Sequence, residues 1–132
     1  MALIVSPRLI DQRLRNRIME VLEVVAAGTA GVHSVGASEF FELFYDLLPY
    51  GERGKNRSNT AISNAEWAAI GTVRSLMDDA CDSTSACIRE ADLNLSGWPD
   101  RIQPAAEAAL KLMWERGRFS EDVEEAVPTQ QE

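Results

Sequence analysis

The sequence predicts an all-α fold: a single-domain helical bundle of four principal helices with one or two short ones. Three observations carry the prediction. Apolar residues recur at three and four positions along most of the chain, the period of a helix with one buried face. No useful stretch alternates apolar and polar residues as a half-buried strand would. Ser, Pro and Gly fall where the periodic stretches begin and end.

At 132 residues and 14.6 kDa, with 45% hydrophobic and 26% charged residues, the chain has the balance of one globular unit. Residues 1–127 are read as that unit, and 128–132 as a fraying tail. Ser6 and Pro7 open the first helix, Ser as N-cap and Pro at a position where its missing N–H costs nothing. Ile10, Leu14, Ile18, Val21, Leu22 and Val25 form its apolar stripe, with Arg13, Arg17 and Glu20 opposite, and Gly28 and Gly31 end it. Residues 28–37 read as a small-residue connection. Ser38 is expected to cap a second helix with Phe40, Phe41, Phe44, Leu47 and Leu48 on its inner face, stopped by Pro49. Residues 49–62 read as a long polar loop.

Ser63 and Glu66 have the spacing of a capping box, and the helix they open runs to about Cys81. Trp67, Ile70, Val73, Leu76, Met77 and Ala80 cover a broad arc, so this third helix is expected to be the central one. Ser75, Asp78, Asp79 and Asp82 then lie on its wet side. A short helix is placed between Ser85 and Leu95, broken by Gly97-Trp98-Pro99. The fourth principal helix is expected from Pro104 to Arg116, stopped by Gly117. Its polar stripe is Glu107, Lys111 and Glu115, and Ala105, Ala106, Ala109, Leu112 and Met113 face inward. Ser120 is expected to cap a last short helix carrying Phe119, Val123 and Val127.

Thirteen Lys and Arg against twenty-one Asp and Glu give a net charge of −8. Met1 to Ile62 is neutral, and all the excess lies between Ser63 and Glu132. Such a chain is repelled by nucleic acid and by anionic membrane surfaces, and it suits a basic partner. No apolar run approaches a membrane span of about 20 residues, and the opening Met-Ala-Leu-Ile-Val is too short for a secretory signal. A reducing cytoplasm is therefore the expected compartment, with Cys81 and Cys87 as free thiols.

Four groups of residues invite a chemical reading. Glu20/Glu23 and Glu39/Glu42 are paired ExxE elements, in which carboxylates at i, i+3 on facing helices would hold Mg²⁺. The pattern resembles the acidic metal motifs of all-α nucleotide pyrophosphohydrolases, although the second element there usually ends in Asp. Both pairs fall opposite their helices' apolar stripes, so a solvated face is the preferred reading. Asp78, Asp79 and Asp82 form a second acidic group at a helix C-terminus, where negative charge opposes the helix dipole. They are assigned to partner binding, together with Trp114 at the border of its helix's apolar face. Tyr50, Arg53, Lys55 and Arg57 gather basic side chains among glycines, an arrangement that can cradle an anion. His33 with Cys81 and Cys87 lacks zinc-site spacing, and no nucleophile–base pair is visible. No metal, cofactor or catalytic residue is assigned. A helix-turn-helix reading fails for want of a basic recognition helix, since Arg15 points away from Arg13 and Arg17.

The expected function is a small, acidic, non-catalytic interaction module, inhibitor- or immunity-like, that binds a basic protein. The alternative is a small all-α enzyme or ligand-binding bundle for a nucleotide or phosphate, with residues 50–58 as its lid. A homodimer through the Phe-rich second helix or the Ala-rich fourth is a third reading.

Overall fold

The computed structural model describes residues 5–48 and 58–128. Among them are six α-helices and no strand: α1 (Pro7–Ala26), α2 (Thr29–Val35), α3 (Ala37–Leu47), α4 (Asn64–Ser83), α5 (Glu90–Ser96) and α6 (Trp98–Arg116). The all-α expectation holds. Every helix contributes to one cluster of buried residues, among them Met19 and Leu22 of α1, Phe40 and Phe44 of α3, Ile70 and Met77 of α4 and Met113 of α6. No single described helix is long and apolar enough to cross a membrane.

α1 begins as the sequence predicts: the Ser6 hydroxyl accepts from the Leu9 N–H at 3.1 Å and Pro7 stands in the first turn. The connection expected at 28–37 is instead the helix α2. Its glycines do two jobs. Gly28 turns the chain with φ +60°, and Gly31 lets α2 close on α1, since a Cβ there would stand 1.9 Å from the Val24 carbonyl oxygen. Gly36, at φ +91°, then ends α2 and starts α3, so Gly36 rather than Ser38 is the N-cap.

The capping box of α4 forms in full. Ser63 Oγ accepts from the Glu66 N–H at 3.1 Å, and Glu66 Oε1 accepts from the Ser63 N–H at 2.8 Å. α5 starts at Glu90, later than expected, and buries Leu93, leaving Leu95 at 85% exposure. Gly97, at φ +81°, turns directly into α6, which starts at Trp98 rather than Pro104. Pro104 is tolerated inside α6 because it and Asp100, the residue whose carbonyl loses its donor, are both exposed to water.

Two expectations need correction at the level of architecture. The central helix is α6, not α4: it packs against α1 along one side and α4 along another, and α5 and α2 meet it as well. No helix follows Gly117. Residues 118–128 run as an irregular strap across α1, and Val123 and Val127 point to solvent. Side chains of α1 take the strap's main-chain groups, so a helix there is unnecessary for hydrogen bonding. Gln12 Nε2 donates to the Ser120 and Val123 carbonyls at 2.8 and 2.9 Å, and Asn16 Nδ2 to the Phe119 carbonyl at 2.9 Å.

Candidate functional site

The most heavily engaged polar residue is Arg15, which is fully buried although its helix reads as amphipathic. Its spacing from Ile18, Met19 and Leu22 places it on the buried stripe. Its guanidinium donates to Glu66 Oε1 at 2.7 Å and to the carbonyls of Ala61 (3.1 Å), Met113 (2.9 Å) and Gly117 (3.0 Å). Arg116 donates to the same Glu66 oxygen at 2.7 Å and to the Ala61 carbonyl at 2.8 Å. Burial alone would raise the Glu66 carboxyl, but the hydrogen bonds from Arg116 and Arg15 hold it below its ordinary value. Burial lowers the Arg15 pKa, and Glu66 opposes that shift. Phe119 closes the cluster. Its ring is fully buried and stands 5.0, 5.4 and 5.7 Å from the guanidinium carbons of Arg8, Arg15 and Arg116. Every donor is spent on main chain or on one carboxylate, so the cluster joins α1, α4 and α6 and leaves no group open to a substrate.

A different arrangement lies where α3 meets the end of α4. Ala37, Ser38, Phe41 and Glu42 face Cys81, Thr84, Ser85, Ala86 and Ile88 across a cleft of about 280 Å³. Its floor is apolar and its rim acidic. Glu39, Glu42 and Asp46 rise along one face of α3, and Asp79 and Asp82 are exposed at the end of α4. The crowding is electrostatic as well as spatial. A hydrogen bond with Glu42, then burial and the charges of Glu42 and Asp46, push the Glu39 carboxyl above its ordinary value. Cys81 is exposed and free, and burial together with Asp82 and Asp78 raises its thiol, which keeps it protonated at neutral pH.

The residues assigned to partner binding do not form one surface. Asp78 is buried at 1% exposure rather than on a wet face, and it accepts from the Tyr45 hydroxyl at 2.7 Å, joining α3 to α4. The reason is that Tyr45 arrives from α3 over the side of α4 that the helical wheel leaves polar. Asp79 and Asp82 remain exposed. Trp114 is half-buried and lines a separate groove of about 380 Å³ with Glu107, Leu110, Lys111 and Glu115 on α6. Tyr50, Arg53, Lys55 and Arg57 lie outside the described residues. A small hollow of about 80 Å³ between Leu14, Ile18, Asp46, Leu47, Asn59 and Trp67 borders the two ends of that segment.

Glu20 and Glu23 are not brought into a metal cage. Glu20 pairs with Arg17 at 3.0 Å and Glu23 is exposed. Among the described residues no three His, Cys, Asp or Glu side chains converge as metal ligands. His33 lies in α2 rather than in a loop, its Nδ1 2.8 Å from Glu90 Oε1 on α5. The acidic cleft was missed because it is assembled from helix ends separated by some forty residues. The one available signal was the i, i+3, i+7 spacing of Glu39, Glu42 and Asp46. Comparison of the chain with protein families, curated proteins and solved structures finds no match.

Proposed function

We propose that the chain is a non-catalytic interaction module that receives a basic protein partner in the cleft between α3 and α4. The observation that carries this reading is the pairing of an apolar floor, Phe41 and Ile88, with a rim of like charges crowded enough to raise Glu39. Like charges held this close repel one another, and a cationic segment relieves that repulsion as it binds. A cleft of about 280 Å³ accepts an apolar side chain of such a segment while the rim meets its Lys and Arg residues. Charge on the rim governs capture and discrimination, and the buried apolar contact governs residence. Asp78 takes no direct part, because its carboxylate is occupied inside the fold.

The test is affinity isolation at low salt with the wild-type chain and with the triple variant Glu42→Gln, Asp79→Asn, Asp82→Asn. A basic protein retained by the wild type is expected to bind the variant about tenfold more weakly, and to weaken comparably as salt screens the rim. A partner held equally by both chains at all salt concentrations defeats the reading.

The ligand-binding alternative keeps one supporting observation, the hollow beside the 49–57 segment. At about 80 Å³ it is far below the roughly 300–1,000 Å³ of a typical small-molecule site, so it suits an ion or a fragment better than a nucleotide. Stabilisation of the chain by inorganic phosphate, lost in Arg53→Ala and Arg57→Ala, would favour it.

A further inference from the structure

The strap that follows α6 is held in a manner that does not require it to come from the same chain. α1 presents a ladder of side chains at i, i+4 intervals, Arg8, Gln12 and Asn16, and each reads main chain rather than side chain. Asn16 donates to the Phe119 carbonyl at 2.9 Å and accepts from the Phe119 N–H at 3.3 Å. Gln12 donates to the Ser120 and Val123 carbonyls and accepts from the Glu125 N–H at 2.8 Å. Arg8 donates to the Glu125 carbonyl at 2.7 Å and the Ala126 carbonyl at 3.3 Å, and Arg13 to the Glu121 carbonyl at 2.8 Å. The ladder thus takes an extended peptide by its backbone.

Two features add selectivity. The peptide must carry an aromatic ring for the cage of Arg8, Arg15 and Arg116, which Phe119 fills. It must also carry acids, since Glu121 pairs with Arg17 and Arg118, and Glu124 accepts from the Ser6 hydroxyl. A second copy of the chain carries that same peptide, and trading identical segments preserves every bond listed above. The join between α6 and the strap is Gly117, at φ +93°, a backbone position where a change of direction is available without a side chain to hinder it.

The apolar surface points the same way. Four of the five large apolar residues that stand exposed among the described residues, Val5, Ile10, Val123 and Val127, are on the start of α1 and on the strap. Val5 adjoins Ser6, which is bonded to Glu124, and Val127 adjoins Ala126, which is bonded to Arg8. The strap therefore leaves its own valines uncovered at the place where a second α1–strap unit would arrive.

We propose that the α1 ladder accepts the strap of a second copy, so that two chains associate by reciprocal exchange of residues 118–128. Two full-length variants test this. Phe119→Ala keeps the ladder and spoils the strap; the double variant Gln12→Ala, Asn16→Ala keeps the strap and spoils the ladder. Each alone is expected to run at monomer mass in light scattering, and an equal mixture to yield a species of twice that mass. A mixture that stays at monomer mass, with both variants showing native helical circular dichroism, overturns exchange. Should either variant fail to fold, the wild type decides. Native mass spectrometry of wild-type chain mixed with its ¹⁵N-labelled form should show mixed dimers that disappear with an excess of synthetic peptide 117–128. Monomer alone, or dimers indifferent to that peptide, overturns the proposal.

Discussion

Replacing Glu66 with glutamine would keep the shape of the buried cluster while leaving Arg15 without a counter-charge. Unpairing a buried ion costs about 3–5 kcal/mol, so Glu66→Gln should lower the urea midpoint well beyond a typical surface change. The same residue sets an acid limit. Its folded carboxyl lies below the ordinary value, so its contribution is complete above the unfolded carboxylate pKa of about 4.3 and is lost as pH falls through the folded one. Glu121 has the same sign, held down first by the Asn16 hydrogen bond and then by Arg17 and Arg118. Urea titrations of the wild type should therefore show stability falling below about pH 4, and Glu66→Gln should fall less steeply over that range. Arg15 was half-legible in the sequence: its direction away from Arg13 and Arg17 was visible, but its destination was not. A helical wheel cannot foretell that three carbonyls and a carboxylate will converge on one guanidinium from residues 61, 66, 113 and 117.

Whole elements were legible where local chemistry closes on itself. The Ser63–Glu66 box is written within four residues and appears as written; Ser63→Ala should cost about 1 kcal/mol in thermal unfolding. The Ser6–Pro7 start was equally local. α2 was not, because its glycines serve a neighbour rather than their own helix. Gly31→Ala drives a methyl group into the Val24 carbonyl and should destabilise the chain far more than the few tenths of a kcal/mol that propensity alone would return; differential scanning calorimetry would separate the two outcomes. The strap failed for the opposite reason. Phe119, Val123 and Val127 do have helical spacing, yet Gln12, Asn16 and Arg8 offer their backbone better-placed partners from elsewhere.

At the scale of the molecule, the charge asymmetry read from the sequence is partly cancelled by folding. The acidic strap lies over the arginines of α1, whereas the acids of α3 and the end of α4 gather around the cleft. The acidic cleft was therefore invisible as a site, though its ingredients were counted correctly. Salt should weaken exposed pairs such as Arg17–Glu121 and spare Arg15–Glu66; raising ionic strength to about 0.5 M should shift unfolding free energy by less than about 1 kcal/mol while it diminishes partner binding.

The reach of the Arg15 contacts also bears on when the protein can finish folding as it is made. α1 is synthesised early, but its ladder and its buried arginine bond to residues 98 to 118 positions later. Until α6 and the strap have left the ribosome, Arg15 lacks the carbonyls that justify its burial, and Gln12 and Asn16 have no backbone to hold. The amino-terminal helices must wait, loosely collapsed, for the last tenth of the chain. Long closures of this kind slow folding relative to helical proteins built from local contacts. Release of the carboxyl end from the ribosome is thus the event that commits this chain to its structure.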